Sequence, residues 1–196
     1  GKNFEPDQSQ LAALQTWYAS DSPLHLNPLH PVIKLAGEAG EILDLYGKHE
    51  YKPGFSWWKC KKCGEQVEWH EKLEVWGYPH DYTPLVLDEL GDFSYYLRIL
   101  AYQQEVSFEM IVNSTMTPDC IELPILLSSL NLRSAFILSF LVSGETNFLS
   151  LSDLFELTSM FLAILKSLDC TLERVIELNY QKLNSDPTNH GWNGAR

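Results

Sequence analysis

Apolar residues recur at three- and four-residue steps along most of the chain, and this spacing predicts helices. Gln8 to Ala19 places Leu11, Leu14, Trp17 and Tyr18 on one stripe, with Asp7 or Ser9 available as a cap. Ser20 to Pro31, with three prolines, reads as an ordered loop. A second stripe runs from Val32 to Lys48 through Leu35, Ala39, Ile42 and Leu45, with Gly47 near its end as the expected stop. From Pro84, suited to a first helical position, a long third helix runs through Leu90, Phe93, Leu97 and Leu100 to about Gln104. Ser107 and Met110 open a shorter fourth. Residues 121–183 are helical by pattern, broken at 143–147 and 169–171. The expected class is all-α, a helical bundle.

The segment 49–82 differs in kind. It holds four of the six tryptophans (Trp57, Trp58, Trp69, Trp76), five lysines and Cys60-Lys-Lys-Cys63, and reads as an insertion between the second and third helices. The rest of the chain carries a faint echo. An offset of 64 residues sets Glu89-x-x-Asp92 over Asp153-x-x-Glu156, and Ser107-Phe108-Glu109 over Thr171-Leu172-Glu173. Residues 121–184 are thus a candidate degenerate second repeat, and the chain a candidate fused pseudo-dimer. Chance agreement between two amphipathic helix pairs stands open beside that reading.

Composition narrows the classes. The chain has 196 residues, 45% of them hydrophobic, which is enough to close a core and excludes a disordered chain. Its net charge of -12 opposes duplex nucleic acid and anionic lipid. The insertion holds five basic and six acidic residues, so the acidic excess lies in the helical body. The most apolar stretch, Ile121 to Val142, carries Glu122, Pro124, Asn131 and Arg133. A mid-span Arg costs roughly 3 kcal/mol on insertion, so the expectation is a buried soluble helix and no membrane partner. No charged-then-apolar leader opens the sequence, and four cysteines in a core-rich chain read as reduced thiols or metal ligands; the expected location is cytoplasmic.

The candidate chemistry lies in two acidic pairs. Glu38 with Glu41, in LAGEAGE, and Glu89 with Asp92, in LDELGD, are each spaced i,i+3, which puts both carboxylates of a pair on one helix face. Two facing helices then present four carboxylates to one point, and Mg²⁺ or Mn²⁺ relieves their repulsion with open positions left for water and phosphate. Acidic pairs on helices more often simply face water. Here Gly37, Gly40 and Gly91 stand beside the acids inside helices, at about 1 kcal/mol each relative to Ala. That cost is useful where a second helix or a ligand approaches the backbone.

These two pairs, the LAGEAGE phrase after the Leu26-Asn27-Pro28-Leu29 loop, ELGDFSYYL, and the final run LERVIELNYQKL with its Asn179 and Lys182 resemble the MazG-like branch of the all-alpha nucleoside triphosphate pyrophosphohydrolases. The resemblance touches Phe4 to Lys48, Tyr82 to about Thr117 and Leu151 to Arg196. It implies Mg²⁺-dependent hydrolysis of a nucleoside triphosphate to the monophosphate and pyrophosphate, and a homodimer or fused pseudo-dimer. Glu38, Glu41, Glu89 and Asp92 are then the metal ligands, with Glu41 the favoured alternative as proton acceptor. Asn179, Lys182 and Arg196 become candidate groups for the leaving pyrophosphate, and Arg98 is a further one by its position after Asp92. Trp17 or Tyr95 can stack a nucleobase, although packing in the core is the simpler reading of both.

Two features depart from the family pattern. The step from Glu41 to Glu89 is long because of the insertion, where Cys60 and Cys63 form half of a zinc ribbon that His70 and His80 can complete, with His49 or Cys120 in reserve. Reduced thiols in an aromatic minidomain are the competing reading. The stretch SLNLRSAFIL, aligned near Glu38 and Glu41, has no acidic pair, so one complete site per chain is expected. The competing function is a non-catalytic helical module that uses the tryptophans and lysines of the insertion to engage a protein or single-stranded nucleic acid. His25, His30 and His190 read as loop or surface residues.

Overall fold

A computed structural model describes residues 4–51, 68–70, 75–77 and 83–185 of the chain. These form an all-α fold. Its helices are α1 (Gln8–Leu14), α2 (Leu29–Tyr51), α3 (Thr83–Gln103), α4 (Phe108–Ser114), α5 (Leu123–Ser143), α6 (Leu151–Ser167) and α7 (Leu172–Ser185). The insertion contributes two short antiparallel strands, β1 (Glu68–His70) and β2 (Val75–Gly77), which the helical pattern did not foresee. Cys60, Cys63 and His80 lie outside the described residues, as does the side chain of His70; so does the question of zinc.

The centre of the bundle is α3. From Leu90 to Ala101 every position except Asp92 is buried, so this helix is covered on all sides by α2 and α7, with α1, α4 and α6 at its ends and edges. A helix apolar nearly all round has no alternative to the middle of a domain. Phe93 stacks on Phe161 of α6 with ring centroids 5.5 Å apart. On the far side, α5 packs against both α2 and α6 through Leu126, Leu127, Leu130, Ser134 and Ile137.

Several boundaries differ from the periodic pattern for local reasons. Helix α1 stops at Leu14 because Thr16 and Trp17 hydrogen-bond to carbonyls three residues back, Ala13 and Leu14. The Trp17 indole N–H then donates to the His25 carbonyl at 3.1 Å, turning the chain into the following loop. That loop is pinned to α3: His25 meets the Tyr18 carbonyl at 2.7 Å and the Tyr102 hydroxyl at 2.9 Å. His30 stacks on Trp17 at 5.3 Å, and burial holds its pKa below the usual value. Both histidines are therefore packed rather than peripheral. Helix α2 runs past Gly47 to Tyr51, since a single helical glycine weakens but does not stop a helix.

Helix α5, expected to be a buried helix, is buried in part. One face is buried, while Leu132 and Val142 are about two-thirds or more exposed, at 71% and 66%. Among the described residues it is the one helix long and apolar enough to cross a membrane. Its Arg133 pairs with Glu156 of α6 at 2.7 Å.

Asp7 joins the first helix to the fourth. One carboxylate oxygen caps α1 by accepting from the Gln10 amide at 2.9 Å, and the other accepts from the Glu109 amide at 2.7 Å and the Ser107 hydroxyl at 3.1 Å. Burial raises the Asp7 pKa, but the bonds from Ser9, Glu109, Gln10 and Ser107 outweigh it and hold the carboxyl below its ordinary value. Its stabilisation is therefore present above the unfolded value of 3.8 and is lost as pH falls through the lower folded one. Asp7→Ala should cost about 2 kcal/mol, from a lost cap and lost charge-assisted bonds, read as a lower urea midpoint at pH 7. The deficit should shrink as the pH is lowered through the acid range.

Candidate metal centre

Glu38 projects from α2, and Glu89 and Asp92 from α3. One oxygen of each lies within 4.8 Å of the others. The i,i+3 spacing aligns Glu89 with Asp92, and the packing of α2 on α3 brings Glu38 across to them. Glu89 is buried, at 5% exposure, and Glu38 and Asp92 are half-buried. Glu38 Oε2 is buried and has no hydrogen-bond partner among the described residues. An unpaired buried carboxylate oxygen beside two further carboxylates is an all-oxygen donor set, which suits a hard cation. The trio can hold a metal ion.

Without such an ion the acids resist ionising together. Burial raises the Glu38 pKa to about 9, helped by its hydrogen bond with Glu89 and the charges of Asp92, Glu89 and Glu41. Burial likewise lifts Asp92 to about 6, although Lys182 pulls it down. Glu41 is exposed one turn beyond Glu38 and stands outside the converging trio, but its charge is felt at Glu38.

Helix α7 supplies the other side of the site. Lys182 Nζ donates to both Asp92 oxygens, at 2.9 and 2.7 Å, and lies 3.1 Å from Asp88 Oδ1. Burial lowers the Lys182 pKa, but Asp92 and Asp88 outweigh that and raise it. Asn179 Nδ2 donates to Asp92 Oδ1 at 2.9 Å, and its Oδ1 accepts from Arg98 at 3.1 Å. These contacts require α7 to lie very close to α3. Gly91 permits it: a Cβ there would meet the Val175 carbonyl oxygen at 3.0 Å and Asn179 Cβ at 3.2 Å. The other two glycines do less, since a Cβ on Gly40 would make only an ordinary 3.7 Å contact with Asn131 and one on Gly37 would meet nothing within 4 Å.

Several expected ligand-binding residues have other work. Arg98 is 1% exposed, and its guanidinium is spent on the Ser94 and Ser9 carbonyls and on Asn179, so it anchors α1 and α7 to α3 and does not face a ligand. Trp17, 3% exposed, and Tyr95, bonded to Thr16 at 3.0 Å, are core residues. Asn179, 3% exposed, has both ends of its amide engaged and orients Asp92. Lys182 reaches the site but as the partner of Asp92 and Asp88. Arg196 lies outside the described residues. Asp88 was not foreseen as the second partner of Lys182. Nor was Tyr96, buried and close enough to Glu38 and Asp92 that their charges raise its pKa after burial and Tyr95. Its position four residues after Asp92, on the same face of α3, was the available signal.

No protein-family model matches the chain, and neither a characterised protein nor a solved structure matches it significantly. Its reading therefore rests on its own residues.

Two measurements test this geometry. In metal-free protein, Glu38 is protonated in both states below its ordinary value of 4.5, and above it the unfolded chain loses the proton that the folded chain keeps. Stability should therefore fall as pH rises from 4.5 towards about 9, and Glu38→Gln should flatten that fall in thermal melts. Gly91→Ala, pushed against backbone, should cost about 1–3 kcal/mol by urea denaturation.

Proposed function

We propose that the chain is a Mg²⁺- or Mn²⁺-dependent hydrolase that converts a nucleoside triphosphate to its monophosphate and pyrophosphate. The observation that carries this reading is the convergence of Glu38, Glu89 and Asp92, with one buried oxygen of Glu38, Oε2, left without a hydrogen-bond partner among the described residues. The motif resemblance across α2, α3 and α7 supplies the reaction class.

Glu38, Glu89 and Asp92 hold the ion, which when bound offsets the charge of carboxylates and phosphate and polarises a phosphoryl oxygen. Lys182 and Asn179 fix Asp92, so that α7 keeps one ligand in place while the nucleotide binds. Glu41, exposed one turn along α2, is the group that accepts the proton of the attacking water in this reading. The acidic body then admits only a triphosphate that arrives with its cation. Among the described residues Cys120 and Cys170 are free thiols, in keeping with a cytoplasmic nucleotide-pool enzyme, and Cys60, Cys63, His70 and His80 are the residues that would hold zinc.

A second reading is a binding module built on the insertion. The ladder sets Trp69 opposite Trp76 in backbone register, and aromatic residues of the insertion are the groups such a module would use.

Pyrophosphate rather than orthophosphate should be released from one or more of the canonical ribo- and deoxynucleoside triphosphates with Mg²⁺ or Mn²⁺, and chelation should stop it. Glu38→Gln and Asp92→Asn should each lower turnover roughly 100-fold or more. No turnover across the panel, or unchanged rates in both variants, sinks the assignment. A salt-sensitive oligonucleotide complex that needs Lys59, Lys61 and Lys62 but not the carboxylates would favour the module instead.

A further inference from the structure

A nucleoside triphosphate carries more negative charge than one divalent ion offsets, and its oxygens are ordinarily met by cationic side chains as well. The cations expected to do this are engaged. Arg98 is buried against two carbonyls and Asn179, and Lys182 is held by Asp92 and Asp88. Lys48, Arg133 and Lys166 are paired with Asp44, Glu156 and Asp119. Lys34 is different: it is exposed on α2, and among the described residues it enters neither a hydrogen bond nor an ion pair. It stands one turn before Glu38, which places their Cβ atoms about 5–6 Å apart. Arg174, likewise unpaired among the described residues, lies more than two turns before Lys182 along α7. Burial, with the Lys34 charge beside it, holds the His30 pKa below its usual value, so Lys34 is the positive group at this end of α2.

Gly37 carries a second, independent observation. Lys34, Gly37, Glu38 and Glu41 are i,i+3 and i,i+4 neighbours, the corners of a diamond along one edge of α2. Gly37 is exposed, and a Cβ there would meet nothing within 4 Å, so no packed helix accounts for a glycine inside this one. The choice weakens the helix and gains nothing from packing. Bare backbone between a lysine and two glutamates is a ledge on which a ligand can come close to the main chain.

We infer that Lys34 and the bare backbone at Gly37 form the subsite for the polyphosphate of the nucleotide, next to the ion held by Glu38, Glu89 and Asp92. The inference rests on the hydrolase reading above. The Lys34 ammonium donates to phosphate oxygens, and Gly37 leaves them room beside the helix. Lys182 keeps its place on Asp92, so one lysine orients a metal ligand while the other meets the substrate.

Steady-state turnover by the full chain, with calorimetry of inorganic pyrophosphate binding to its Mn²⁺-loaded form, tests this. Lys34→Ala should raise KM and the pyrophosphate Kd roughly 10-fold each, with kcat within about threefold and Mn²⁺ stoichiometry unchanged. Lys34→Arg should restore most of both. Gly37→Leu should weaken both by a similar factor, yet its thermal midpoint without nucleotide should be no lower than the wild type's, because leucine favours a helix over glycine. A merely structural role would move the midpoint together with the affinity. Gly37→Ala serves the same comparison if the leucine variant does not fold. Unchanged KM and Kd in Lys34→Ala overturn the inference, as does a Gly37→Leu protein that binds pyrophosphate as the wild type does. So does a Mn²⁺-loaded wild type that binds no pyrophosphate. A wild type that binds pyrophosphate through Lys34 but turns over no triphosphate counts against the hydrolase and supports the subsite.

Discussion

The close approach of α7 to α3 at Gly91 is the constraint on which the candidate site depends. With hydrogen in place of a side chain, α7 comes near enough for Asn179 and Lys182 to grip Asp92 from one side. Arg98 extends the same line of contacts to the Ser9 carbonyl, so α1, α3 and α7 are tied through one buried guanidinium. Burial lowers the Arg98 pKa to about 10, which still leaves it charged at neutral pH. Its contacts are neutral acceptors, and its charge sits in the same buried layer as the acids it helps to place.

Around this line the fold gathers like charges against their preference. Glu89 is as buried as a core residue, yet it sits beside Glu38 and Asp92. A shared proton relieves that repulsion, and a bound cation would allow all three carboxylates to ionise. The site resembles a strained spring held by apolar packing: Leu90 and Phe93, which flank the acids on α3, are wholly buried and fix the helix from which Glu89 and Asp92 project.

Much of the bundle was legible in the periodicity, since long helices buried on one face leave a stripe at 3.6 residues per turn. The acidic i,i+3 pairs were legible too, because helical geometry alone puts their members on one face. The roles of the basic and amide residues were not. Arg98 and Asn179 look like ligand-binding groups in a sequence, but burial on three neighbouring helices turns them into fasteners, and no local pattern reports burial by distant elements. Asp88 and Tyr96 were missed for the same reason. Helix α5 misled in the opposite direction: it read as a buried helix, whereas only one face meets α2 and α6.

By itself the sequence determined the helical class, the break between the third and fourth helices and that at 169–171, and the pairing of Glu89 with Asp92, all of which follow from residues within a few positions of one another. Tertiary structure alone decided that Glu38 rather than Glu41 completes the trio, that Lys182 is engaged with Asp92 and Asp88, and that helix packing needs Gly91 but not Gly37. Those outcomes depend on the separation and register of packed helices. Shifts of an ångström or less set them, and spacing along a chain carries no such information.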